Sequence, residues 1–232
     1  MQYKSGALIL LFFSTFFSFA QEVQGKFAKE VTTKVTLNYI LQLPNNQKEK
    51  FPLLLFLHGS GERGTDLSMV KSHSPFTYKN LIQAPVAILA PQCPENVWWD
   101  TTAIYELIKE TIAKYNIDTS RIYLTGLSMG GWGTWKLACE HPELFAAIAP
   151  VCAPVDVTTL VDAPKLSMPI RIYHGALDDV VLVTESIEMH QELKKENKQS
   201  ELIIFPNDNH NSWDSTYSNP EFYKWLLSQR KK

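Results

Sequence analysis

The 232-residue chain has three cysteines, Cys93, Cys139 and Cys152, too few for a disulfide framework at this size. Its stability must come from a core in which each cysteine serves as a small apolar side chain, with one optional pair among them. No Cys-x-x-Cys or His-x-x-x-His spacing occurs, so no zinc site is indicated. No basic run exceeds Arg230-Lys231-Lys232, and 22 Lys and Arg against 24 Asp and Glu leave a net charge of -2. Nucleic acid is therefore not an expected partner. Proline and glycine form no long runs and no segment repeats, which excludes collagen-like and low-complexity architectures. The 45% hydrophobic content excludes disorder. What remains is one globular domain.

The N-terminus differs from the rest. Lys4 is the only charge in the first twenty residues, residues 7–19 are predominantly apolar, and Ser18-Phe19-Ala20 puts small residues at -3 and -1. This is the pattern of a secretory signal peptide over residues 1–20, leaving residues 21–232 as the single domain of a secreted or periplasmic protein. The apolar stretch falls short of the ~20 residues a spanning helix needs. Polar Gln21-Glu22 follows it, and no cysteine follows the cut for lipidation. No stable membrane anchor is expected after cleavage.

Beyond it, strand and helix signals alternate. Residues 31–43 alternate apolar and polar like an antiparallel strand, whereas residues 52–57 are continuously apolar, as in a strand covered on both faces. Similar short runs occupy 86–90, 122–125, 146–149, 170–173 and 202–205, bounded by Gly, Pro, Asn or Asp. Between them, Ile104, Leu107, Ile108 and Ile112 share one face of a helix over residues 101–115. Further helices are expected through Trp132, Trp135, Leu137 and Cys139, over 184–195, and from Pro220 to residue 229. Such alternation predicts an α/β fold with a mostly parallel sheet and helices on both faces. Ligands of such sheets bind beyond the carboxyl ends of the strands.

One segment satisfies that rule with recognisable chemistry. Ile122-Tyr123-Leu124-Thr125 leads into Gly126-Leu127-Ser128-Met129-Gly130-Gly131 and then a helix, the strand, tight turn and helix of a nucleophile elbow. The structural alternative is a glycine-rich turn with a capping serine. A serine nucleophile needs a base, and in the chain order of this elbow the base follows it. His210 is favoured over His141, His174 and His190 because it lies in a polar loop after the last apolar strand. The orienting acid should leave the preceding strand, where Asp178 and Asp179 are adjacent and spacing alone does not separate them; Asp156 and Asp162 are alternatives further upstream. Met129 N–H is the first expected oxyanion donor. The second should come from His58-Gly59-Ser60-Gly61-Glu62-Arg63-Gly64, with Ser60 preferred over Gly61. Glu62 and Arg63 are expected to pair with each other at the surface.

Together with Ala90-Pro91-Gln92-Cys93-Pro94, Trp98-Trp99, residues 174–181 and His210-Asn211-Ser212-Trp213, these motifs resemble the small secreted α/β-hydrolases. The group they look most like is labelled dienelactone hydrolase-like, phospholipase/carboxylesterase-like or predicted peptidase, and is related to feruloyl and acetylxylan esterases. The resemblance covers most of the chain after the signal peptide. It implies a single-domain α/β-hydrolase fold without a large cap domain. In the family's His-Gly-x-x-Asp motif the acid falls on Asp178, so the resemblance implies a Ser128, Asp178 and His210 triad, with Leu182 standing where a proline is often found.

The function implied is a serine carboxylic-ester hydrolase working through an acyl-enzyme, on acetyl or feruloyl esters of plant polysaccharide or related small esters, with no metal or organic cofactor. A serine peptidase of the same fold and an inactive carbohydrate-binding homologue are the alternatives. Trp98, Trp99 and Trp213 fall in or beside the site loops, where aromatic faces could stack on sugar or phenolic rings. Trp132 is read as packing.

Overall fold

The structure, a computed structural model, describes residues 24–196 and 199–231. The signal peptide expected over residues 1–20 lies outside the described residues. The chain divides into a short unit, Met1–Lys34, and a compact unit, Val35–Lys232. Among the described residues, every helix and strand belongs to the second.

Strands β1 (Asn38–Gln42), β2 (Phe51–Leu57), β3 (Ala87–Gln92), β4 (Ile117–Leu127), β5 (Ala147–Val151), β6 (Ile170–Gly175) and β7 (Ser200–Phe205) form one seven-stranded sheet in the order β1-β3-β2-β4-β5-β6-β7. Only β1 is antiparallel to its neighbour. The alternating pattern over 31–43 yields a strand only at Asn38–Gln42. Asn38 lies opposite Gln92, the last residue of β3, so an earlier start would find no ladder partner there.

The continuous apolar run of β2 is buried at all seven positions, and strand alternation sends its side chains to two cores. Leu53, Leu55 and Leu57 share one core with Ile104 and Ile108 of α1 (Thr101–Lys114), Trp135 and Leu137 of α2 (Met129–Glu140), and Met189 and Leu193 of α4 (Val183–Glu196). Leu54 and Phe56 face the opposite side, against Tyr217 of α5 (Trp213–Tyr217) and Phe222, Tyr223 and Leu226 of α6 (Pro220–Ser228). Burying each such side chain stabilises the fold by about 1.5–3 kcal/mol before ordering costs. Helix starts follow local chemistry: Asp100 accepts the Ala103 N–H to cap α1, and Asn219 caps α6 ahead of Pro220. All three cysteines are buried and free.

Two features expose the carboxyl edge of the sheet. The crossover from β2 to β3 contains three single turns, Ser60–Glu62, Met69–Lys71 and Lys79–Leu81, and no α-helix. The crossover from β5 to β6 holds only the short α3 (Val157–Asp162) and one further turn, so no cap domain interrupts it. The chain leaves β2 for β3 on one side and reaches β4 on the other, making the β2–β4 boundary the topological switch point where a ligand crevice is expected.

Candidate active site

Ser128 sits at that boundary, between β4 and α2, with φ 52° and ψ -118°. A non-glycine residue holds such a conformation only where its surroundings impose it. Here Ser128 N–H donates to Val151 O at 2.9 Å, and Ser128 O accepts from Trp132 N–H at 3.1 Å. The elbow also requires very close backbone approach. A Cβ at Gly126 would strike the Gly130 carbonyl and Leu57 O, and one at Gly130 would strike the carbonyls of Leu57 and His58. Glycine at both positions therefore lets the end of β2 run directly against the first turn of α2.

Ser128 Oγ lies 2.9 Å from His210 Nε2, and His210 Nδ1 lies 2.8 Å from Asp178 Oδ2. His210 reaches this point from the loop between β7 and α5; Asp178 comes from the turn after β6. Asp178 Oδ1 accepts the N–H groups of Val180 and Val181, each at 2.9 Å, which leaves Oδ2 directed at the imidazole. The neighbouring Asp179 is exposed. Asp156 is occupied elsewhere: it caps α3 and accepts Trp132 Nε1–H at 2.7 Å, and although burial opposes ionisation, these hydrogen bonds hold its carboxyl down to about 2. Asp162 pairs with Lys165. Of the other downstream histidines, His141 stacks on Tyr105 and His190 lies along α4.

The proposed oxyanion donors lie on facing segments. Met129 is the first residue of α2, where backbone N–H groups have no intrahelical acceptor. Ser60 and Gly61 form the turn after β2 and are exposed. That turn is braced from beneath. Cys93 N–H donates to His58 Nε2 at 3.0 Å, so the opposite nitrogen carries the proton and Nδ1–H donates to Gly59 O at 2.6 Å. Burial lowers the His58 imidazole to about 4, which keeps it neutral. Gln92 Nε2–H donates to Glu62 O and Asp66 O at 3.0 and 2.9 Å.

Glu62 and Arg63 do not form the expected surface pair. Glu62 is buried, which pushes its carboxyl up, while Arg63 donates to Ser60 O at 3.0 Å and Val97 O at 3.3 Å. The two side chains diverge because one faces His58 under the turn and the other ties the turn to the loop before α1.

The tryptophans separate by burial. Trp98 is 56% exposed and meets Trp132 edge-on at 5.0 Å. Trp213 is half-buried, with its ring edge-on to His210 at 5.4 Å. Trp99 corrects the sequence expectation: only 4% exposed, it lies in the core, packs at a tilt against His58 at 4.7 Å and donates to His58 O at 3.3 Å. Two adjacent tryptophans in an extended segment point opposite ways, and here only the first faces outward.

Sequence reasoning missed three residues at the site. His58 supports the turn after β2, His174 approaches Asp178, and Cys152 presents a buried thiol within 4.8 Å of the Asp178 and His210 ligand atoms. Their shared signal was position at the carboxyl end of a central strand. Among the described residues, Cys152, Asp178 and His210 are also the one cluster with metal-ligand spacing. Burial pushes the Cys152 thiol well up, toward its protonated form, and His210 Nδ1 is already bonded to the carboxylate. The donor set suits proton transfer better than metal binding.

Residues 88–218 match the dienelactone hydrolase family. The chain belongs to that family. It is 30% identical over 146 residues to a bifunctional acetylxylan esterase/xylanase of Neocallimastix patriciarum, covering 60% of this chain and 21% of that protein. It is 30% identical over 123 residues to feruloyl esterase B of Talaromyces stipitatus, covering 48% and 34%. The chain thus matches about a third or less of the length of these two relatives. Among solved structures, a thermostable esterase superposes with a TM-score of 0.75 at 34% identity, covering 84% of this chain and 60% of that one. Acylaminoacyl peptidase of Pyrococcus horikoshii, at 17% identity and a TM-score of 0.60 over 82% of this chain and 38% of that one, shares the fold.

Proposed function

We propose that this dienelactone hydrolase family member is a serine carboxylic-ester hydrolase with Ser128 as nucleophile, His210 as general base and Asp178 as orienting acid. The observation that carries the reading is the unbroken run of short contacts, 2.9 Å from Ser128 Oγ to His210 Nε2 and 2.8 Å from His210 Nδ1 to Asp178 Oδ2, at an open sheet edge. His210 Nε2 takes the Ser128 proton as Oγ attacks the ester carbonyl, and Nδ1–H stays on the Asp178 side. The oxyanion receives N–H groups from Met129 and from Ser60 or Gly61. The imidazolium then protonates the departing alcohol, leaving an acyl-serine. Water, deprotonated by the same imidazole, releases the acid and restores Ser128.

The substrate class we infer is acetyl or feruloyl esters, free or linked to plant polysaccharide, because relatives carry acetylxylan esterase and feruloyl esterase in their names. Trp213, against His210, and the exposed Trp98, against Trp132, offer aromatic rings suited to a sugar or phenolic ring. Residues 1–20 act as an export signal, and 21–232 form the catalytic domain. Among the described residues, no helix is long and apolar enough to cross a membrane.

p-Nitrophenyl acetate hydrolysis by wild type and Ser128→Ala tests the core of this reading. Loss of at least about 10³-fold in kcat is expected; equal rates would remove the serine mechanism. A panel of acetylated xylan, feruloyl, short aryl and peptide substrates then decides specificity, and a preference for peptides by kcat/KM would overturn the ester assignment.

A further inference from the structure

We propose that His174 is a positioning residue for the acid of this site: its imidazole braces the Asp178 carboxylate, holding Val181 behind Oδ1 and lying against Oδ2, at the far end of the Ser128–His210–Asp178 relay. The proposal rests on the reading of Asp178 as orienting acid. His174 is the penultimate residue of β6 and is completely buried. Its Nε2 lies 2.8 Å from Val181 O and 3.1 Å from Asp178 Oδ2. Both neighbours are acceptors, so Nε2 carries a proton. Nδ1, 2.7 Å from Ser186 Oγ, then accepts the serine hydroxyl of α4.

One ring acts on the carboxylate by two routes. Its N–H holds the carbonyl of Val181, the residue whose own N–H donates to Asp178 Oδ1. The same nitrogen approaches Oδ2, the oxygen that faces His210. A carboxylate buried this deeply offers about four acceptor sites, and rotation about its terminal torsion would swing Oδ2 away from His210. Val180 N–H, Val181 N–H and His174 together oppose that rotation. A histidine serving only to join β6 to α4 would need Ser186 and Val181, and would have no reason to sit against the oxygen that faces His210.

Glutamine can place an amide N–H where Nε2 lies, whereas asparagine reaches only the Nδ1 position. With p-nitrophenyl acetate, His174→Gln is expected within about threefold of wild-type kcat. His174→Asn should lose about ten- to a hundredfold in kcat with KM nearly unchanged, because Val181, whose N–H holds Asp178 Oδ1, loses the donor that anchors its carbonyl. The downfield NMR resonance of His210 Nδ1–H should move in the asparagine variant and stay in the glutamine variant. Equal kcat in both variants, or a parallel loss in both, overturns the proposal. If neither accumulates folded, Ser186→Ala decides: a displaced His210 resonance with reduced kcat supports the relay, and an unchanged resonance and kcat overturn it. Asp178→Asn separates the two readings. Full activity in that variant removes the acid assignment itself, whereas an inactive Asp178→Asn beside a fully active His174→Asn removes only the role of His174.

Discussion

Replacing Asp178 by asparagine keeps the shape of the side chain and turns one carboxylate oxygen into NH2, so its effect follows from the hydrogen bonds around the carboxyl group. Asp178 Oδ1 accepts two backbone N–H groups, from Val180 and Val181, each at 2.9 Å. Oδ2 accepts His210 Nδ1–H at 2.8 Å and has His174 Nε2 at 3.1 Å. An amide turned with its NH2 toward Val180 and Val181 would set donor against two donors and lose both bonds. On the other side His174 Nε2–H keeps Val181 O as its acceptor and the His210 imidazole can change tautomer, so the amide keeps its oxygen toward Val180 and Val181 and presents NH2 to His210. His210 Nδ1 then becomes the acceptor, its proton moves to Nε2, and the nitrogen facing Ser128 Oγ at 2.9 Å has no lone pair with which to take the serine proton. A forced wrong tautomer costs about 10⁴ in kcat, or about 5 kcal/mol of transition-state stabilisation. The assay is p-nitrophenyl acetate turnover by Asp178→Asn, normalised to folded protein, with Asp179→Asn alongside. The exposed Asp179 should tolerate the change within about twofold. A folded Asp178→Asn within tenfold of wild type would refute the tautomer argument, and equal losses in both variants would refute the choice between the two acids.

Stability should depend on His58. Its imidazole is lowered to about 4 from an ordinary 6.5 by burial, so between these values the unfolded chain binds a proton that the folded protein refuses. The stabilisation is complete above pH 6.5 and is lost as pH falls toward 4, by about 3 kcal/mol. Urea midpoints at pH 7 and pH 4.5 should show this, and an equally steep decline in His58→Gln would reject it. The two adjacent tryptophans should behave oppositely. Trp98→Ala is expected to raise KM for aryl and feruloyl esters several-fold, on the order of 1 kcal/mol of lost stacking, with little change in melting temperature. Trp99→Ala should instead lose about 3–5 kcal/mol of stability. Calorimetry and Michaelis kinetics on the pair check both, and a Trp99 variant with unchanged melting temperature would contradict its place in the core.

The elements were legible wherever local pattern suffices. The apolar run at 52–57 became a strand buried on both faces, and the periodic segments near 101–115 and 184–195 became α1 and α4 with ends shifted by a residue or so. The strand expected at 122–125 extends to Ile117–Leu127, because pairing with both β2 and β5 recruits residues whose own pattern is mixed. Side-chain direction was harder to read. Nothing in the dipeptide Trp98-Trp99 says which ring turns inward, and nothing in Glu62-Arg63 says that Glu62 turns under toward His58 while Arg63 reaches across to Val97.

From its order of residues alone, this chain determined the alternation of strands and helices and the glycine-framed elbow at Ser128, since periodicity and turn chemistry act between near neighbours. Tertiary structure decided which groups share hydrogen bonds. His210 meets Ser128 from 82 positions away and Asp178 from 32, and His58 takes its tautomer from Cys93, 35 positions on. Such bonds depend on how the sheet stacks its strand ends together, and that packing has no counterpart in any short stretch of sequence.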